Sequence, residues 1–147
     1  MKVFISKDLR DTERYAAEWL DSLESSEDEA LVVGLSGHLG AGKTAFVKMV
    51  GKALGVEEEI TSPTFVIMKI YETKNERFPR LVHIDAYRLE RPEEMEALDF
   101  ERFAADPRNL IMVEWPENVS LKTKIAISFQ ADGDGEFRIE QRSPDHM

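Results

Sequence analysis

Cysteine is absent from the 147 residues, which excludes disulfides and thiolate metal sites and leaves only oxygen or histidine ligands for any metal. Histidine is scarce as well: His38, His83 and His146 are too scattered for a zinc-binding run. No stretch approaches the roughly 18 consecutive apolar residues of a membrane span. The opening "MKVFISKDLRDTER" lacks the apolar core of a secretion signal, so a cytoplasmic protein without a membrane partner is expected. Positive charge is in short supply: 19 Lys and Arg face 29 Asp and Glu, for a formal net charge of −10. Such a surface repels a polyphosphate backbone, so any nucleic acid would be held mainly by another protein. The length suffices for one core and not for two ordinary domains. Residues 1–147 are therefore expected to form a single domain.

What is present reads as alternating strands and helices. "KVFIS" (2–6) has strand character, and from Asp8 onward Leu9, Tyr15, Ala16, Trp19, Leu20 and Leu23 recur at helical spacing. The acidic "ESSEDE" (24–29) is a solvated turn. "ALVVGLS" (30–36) is apolar and β-branched, as a buried strand requires, and after Gly42 the residues Phe46, Val47, Val50, Ala53 and Leu54 line one helix face that stops at Gly55. "TFVIMKIYE" (64–72) and "RLVHIDAYRL" (80–89) flank a polar connection and predict a long hairpin or strand pair. "PEEMEALDFERFAAD" (92–106) predicts one or two short helices opened by Pro92. "NLIMVEW" (109–115) is a further apolar strand, and the tail predicts a hairpin about the Gly-rich "ADGDG" (131–135).

Between the second strand and its helix stands "GHLGAGKT" (37–44). Gly37, Gly42, Lys43 and Thr44 satisfy G-x-x-x-x-G-K-[ST], the phosphate-binding loop. The glycines let the backbone curl so that successive N–H groups point at phosphate oxygens, and the following helix adds its positive end. Lys43 is expected on the β- and γ-phosphates and the Thr44 hydroxyl on Mg²⁺. His38, Leu39, Gly40, Ala41 and Ala45 complete the candidate nucleotide-binding run. Coincidence would produce the four fixed positions in about one chain in two hundred of this length.

A phosphate loop needs acidic partners, and two apolar strands end in one: "LVHID" at Asp85 and "LIMVE" at Glu114. In parallel sheets ligands sit beyond the carboxyl ends of the strands, where both carboxylates could face the loop. One would hold Mg²⁺ and the other would orient the attacking water. "TSPTF" (61–65) lies where nucleotide switches keep a γ-phosphate sensor, with hydroxyls at Ser62 and Thr64 and a stiffening Pro63. A small-molecule kinase would use the same loop, with Arg80, Arg88 and Arg91 as phosphate contacts, but no Arg cluster reads as a lid. A GTPase would carry Asn-Lys-x-Asp, which does not occur. A stand-alone nucleotide-binding module is the third alternative.

Taken in order and at this spacing, "GHLGAGKT", "TSPTF", "HIDAYRL" and "VEWPEN" resemble the small ATPases of tRNA threonylcarbamoyladenosine biosynthesis, the TsaE (formerly YjeE) family, over about residues 30–118. The resemblance implies a three-layer α/β, P-loop NTPase-like fold: a mixed, partly parallel sheet with helices on both faces and a C-terminal β-hairpin. It implies an ATPase using ATP and Mg²⁺ that acts with two partner proteins to install threonylcarbamoyl on adenosine in the tRNA anticodon loop, with tRNA met mainly through the partners. Gly37, Gly42, Lys43 and Thr44 then match the nucleotide loop and Ser62 to Thr64 the switch-like segment. Asp85 matches the magnesium-side acid, Glu114 the catalytic acid, itself a second candidate metal ligand, and Trp115 a tryptophan beside the nucleotide. Lys43, Asp85 and Glu114 are thereby the candidate catalytic set. His83, Tyr87 and Arg88 belong to the family's HxDxYR run, with no role assigned.

Overall fold

The computed structural model describes residues 2–24, 27–38, 42–61, 67–131 and 136–142. In chain order these form β1 (Lys2–Ser6), α1 (Leu9–Ser22), β2 (Leu31–Gly37), α2 (Lys43–Leu54), β3 (Met68–Glu72), β4 (Arg80–Asp85), α3 (Glu93–Ala97), α4 (Phe100–Ala104), β5 (Asn109–Glu114), a 3-10 turn (Pro116–Val119), β6 (Ile125–Ala131) and β7 (Phe137–Arg142). Readings of Ser25, Ser26, Leu39, Gly40, Ala41, Ser62, Pro63, Thr64 and the hairpin turn 132–135 lie outside the described residues.

One seven-stranded sheet runs through the molecule in the order β1-β7-β6-β2-β5-β4-β3. Its centre is parallel, β2 pairing with both β5 and β6, and β4 with β5. Antiparallel pairs form the two flanks, β3 with β4 on one side and β6 with β7 and β7 with β1 on the other. Composition explains the division. β2, β4 and β5 are near-continuous apolar runs, which suits strands covered on both faces, whereas β6 alternates buried and exposed residues because only one of its faces is covered. The expected mixed, partly parallel sheet with helices on both faces and a C-terminal hairpin is therefore the observed architecture.

Period-two alternation sorts the core into two layers. On one face Leu31, Val33, Leu35, Leu81, Leu110 and Met112 pack against Trp19 and Leu20 of α1 and Phe46, Val47, Val50 and Leu54 of α2. On the other, Val32, Val82, Ile84, Ile111 and Val113 meet Leu89, Met95, Phe100 and Val119. Phe46 anchors the first layer, its ring 5.2 Å from Trp19 and 5.6 Å from Phe129. Burying that side chain contributes about 2–3 kcal/mol.

Three local expectations need correction. Leu9 is 60% exposed, and the buried face of α1 begins at Thr12, whose hydroxyl meets Ser6 Oγ at 2.6 Å. Ala53 is exposed, and Gly51 takes the helix-to-core position, where any Cβ would come within 2.1 Å of Ile60 Cδ1. Of the strand expected over 64–72, residues 64–66 lie outside the described residues; the described strand is Met68–Glu72, and Ile67 just before it has φ +67°, outside any extended conformation. The segment after Pro92 forms two helices, divided at Asp99 with φ +60°.

Candidate functional site

β2 ends and α2 begins with backbone that only glycine adopts readily. Gly37 has φ +144°, and a Cβ there would lie 2.4 Å from the Phe129 carbonyl oxygen. Gly42 has φ +102° with ordinary space around it, so the requirement there is conformational. α2 starts at once with Lys43 and Thr44, and Gly42 supplies no side-chain cap; the first-turn N–H groups of a helix have no intrahelical partner and carry its positive dipole end. The Lys43 side chain folds back over this region. Its ammonium donates to the Gly37 carbonyl at 2.5 Å and the His38 carbonyl at 3.0 Å, and lies 4.4 Å from the Trp115 ring centre. Lys43 is buried, and that burial pushes its ammonium below the ordinary lysine range while Glu114, Asp85 and Glu117 pull the other way. His38 is exposed, and Ala45 is half-buried in the first turn of α2.

The sheet register brings the acids to this loop. Glu114 is the neighbour of Leu35 on one side and of Asp85 on the other, so both carboxylates stand in one row at the carboxyl ends of parallel strands. Alternation turns them to the α2 face, the face that Leu81, Leu110 and Met112 share. Glu114, buried, accepts from the Thr44 hydroxyl, 3.1 and 3.0 Å from its two oxygens, and its Oε2 stands 2.7 Å from His83 Nε2. Asp85 accepts the Tyr87 backbone N–H at 3.0 Å. Burial raises the Asp85 carboxyl above its ordinary range; the Tyr87 hydrogen bond opposes this and the nearby Glu114 reinforces it.

Trp115 leaves the strand with φ +61°, and its N–H donates to the Leu35 carbonyl at 2.9 Å, tying the end of β5 to β2. Its ring lies 5.3 Å from that of the exposed Tyr87. Asn118 fixes the same corner, its amide donating to the Ala86 and Tyr87 carbonyls, 3.1 Å each. Ser36 donates to Glu117 at 2.7 Å. Asn118, Ser36 and Glu117 were not singled out from the sequence, although two of them stand in "VEWPEN"; their signal is contact across strands, which order alone does not give. Arg80, offered by the kinase alternative, bonds Asp106 and Asn109 at the opposite end of β4 from Asp85. It is therefore no phosphate contact of this loop.

A family model described as "Threonylcarbamoyl adenosine biosynthesis protein TsaE" matches residues 6–142. The chain belongs to the TsaE family. Relatives named tRNA threonylcarbamoyladenosine biosynthesis protein TsaE include one from Treponema pallidum, 32% identical over 140 residues, covering 92% of this chain and 97% of that one. The protein of that name from Streptomyces coelicolor is 47% identical over 87 residues, 58% of this chain and 57% of its own length. With the Mycobacterium tuberculosis relative, 39% identical, the match again spans little more than half of that chain, 55%. The crystal structure of YdiB from Bacillus subtilis superposes with a TM-score of 0.73 over 99% of this chain and 87% of that one, at 23% identity. That likeness shows a shared α/β fold.

The residues fit a magnesium nucleotide. Among the described residues no group of three or more His, Asp or Glu forms a metal cage, and a Mg²⁺–nucleotide site does not need one, since phosphates and water supply most ligands. A buried ammonium, a hydroxyl already held on a carboxylate, and a second carboxylate alongside are the donors such a site uses.

Proposed function

We propose that this chain is a Mg²⁺-dependent ATPase, a single domain over residues 1–147, that supports threonylcarbamoylation of adenosine in the tRNA anticodon loop by acting on a two-protein partner complex in the cytoplasm. The observation that carries the reading is the gathering of Lys43, Thr44, Asp85 and Glu114 at the loop end of the parallel strands. Lys43 would neutralise phosphate charge. Thr44, Asp85 and Glu114 would hold Mg²⁺, which polarises the phosphoryl group, and Glu114 would also orient the attacking water. The loop from Gly37 to Ala45, together with Ser62, Thr64 and Trp115, would bind the nucleotide. Family membership supports the place in tRNA modification. Among the described residues no helix is long and apolar enough to cross a membrane, and the net charge of −10 favours meeting tRNA through the partners.

No lid over the site is evident in the sequence, and closure of that kind normally assembles a fast phosphoryl-transfer site. The isolated chain should therefore hydrolyse ATP slowly, and docking on the partners should accelerate it. ATP turnover at fixed salt, alone and with the two partner proteins, tests this. Fast turnover alone, unchanged by the partners, overturns the reading and favours a stand-alone ATPase.

A further inference from the structure

We propose that His83 is a positioning residue for the Glu114 carboxylate, holding it through Nε2–H at the angle the reaction needs. This rests on the ATPase reading above. β4 alternation turns His83 to the same face as Asp85 and Leu81, one step deeper in the sheet, and the ring is completely buried. Its Nε2 stands 2.7 Å from Glu114 Oε2. A carboxylate oxygen can only accept, so in the neutral ring Nε2 carries the hydrogen and Nδ1 keeps a lone pair. Among the described residues that Nδ1 has no hydrogen-bond partner. A leucine would fill this place in the core without a stranded nitrogen, so what the ring adds there is the bond to Glu114.

The need for that bond follows from the other donor. The Thr44 hydroxyl spans both oxygens of Glu114, yet it is also the hydroxyl assigned to the metal. Any turn of Thr44 away from Glu114 leaves His83, among the described residues, as the donor that keeps the carboxylate from swinging. The Nε2 bond comes from the rigid centre of the sheet, so it holds the carboxylate while the loop side changes.

Two substitutions and one spectrum test the assignment. His83→Leu should lower partner-stimulated kcat about 10- to 100-fold with the KM for ATP little changed. His83→Gln, whose amide presents an N–H at similar reach, should restore most of the rate. In a Glu114→Ala background, His83→Leu should add no loss beyond about a factor of two. In the nucleotide-free chain, ring ¹⁵N NMR should find His83 with its hydrogen on Nε2, and Glu114→Ala should erase that preference. An Nδ1–H ring, wild-type kcat in a folded His83→Leu protein, or an equal loss in the Glu114→Ala background overturns the positioning role alone. No turnover by the wild-type chain with its partners overturns the ATPase reading, and this role with it.

Discussion

The same two strands present different chemistry to the two sides of the sheet. On the α1/α2 face, Leu81, His83 and Asp85 of β4 and Leu110, Met112 and Glu114 of β5 pass from apolar to charged as they approach the carboxyl ends. On the opposite face, Val82 and Ile84 beside Ile111 and Val113 remain apolar throughout. Burying carboxylates costs several kcal/mol unless partners are supplied, and only the first face has them: α2 delivers Lys43 and Thr44, and β4 delivers His83. The site thus sits where a long helix begins against the sheet, and the face carrying the two short helices serves packing.

Adjacent residues on β5 give the sharpest way to break this contrast. Glu114→Gln keeps shape but cannot act as a carboxylate, so hydrolysis should fall about 10²- to 10⁴-fold while nucleotide binding persists. Val113→Ala, one position away and facing the other layer, should cost about 2 kcal/mol of stability and leave turnover per folded molecule within about twofold. Single-turnover ATP hydrolysis and denaturant unfolding on both proteins decide the matter. Wild-type turnover in Glu114→Gln would remove that residue from catalysis.

Most of the α1/α2 face was legible in the sequence because its signals are local. Glycine spacing announces the loop, and an apolar run that stops at an acid announces Asp85 and Glu114 as strand ends. What escaped depends on register or on backbone turns. His83 meets Glu114 only because β4 lies beside β5 in a register that pairs Asp85 with Glu114, and no local pattern encodes that pairing. The positive φ of Trp115 ends its strand one residue before the apolar run does. Leu9 and Ala53 fit a helical period yet lie beyond the strip that the sheet covers, so periodicity marks a face without marking its edge.

A matched pair of aromatics should sharpen the comparison further. Phe46→Ala and Phe100→Ala each empty a buried place, on opposite faces, and each should cost about 3–5 kcal/mol. Only Phe46 underlies the helix that carries Lys43 and Thr44. Nucleotide affinity, measured on the folded fraction, should therefore drop several-fold for Phe46→Ala and stay put for Phe100→Ala. Equal affinities would show that α2 keeps its N-terminus in place without that anchor.

The smallest expected effect concerns Asp85, a carboxylate whose ionisation its burial opposes. Burial raises the Asp85 carboxyl above its ordinary value, so the folded state holds that proton more tightly than the unfolded chain does. At neutral pH the ionised group therefore costs stability, and the cost fades as pH falls through the raised folded value toward the ordinary one. An amide oxygen can still accept the Tyr87 N–H. Asp85→Asn should accordingly raise stability at pH 7 by about 1 kcal/mol, with the gain over wild type shrinking as the solution is acidified. Magnesium-dependent nucleotide binding should weaken in the same protein, because the charge that burdens the fold is the charge assigned to the metal. Denaturant titrations of both proteins between neutral and acid pH measure the first effect, and binding with and without Mg²⁺ the second. A variant less stable than wild type at pH 7 would mean that Tyr87, Lys43 and their neighbours outweigh burial, and that this face is charge-neutralised even before a nucleotide arrives.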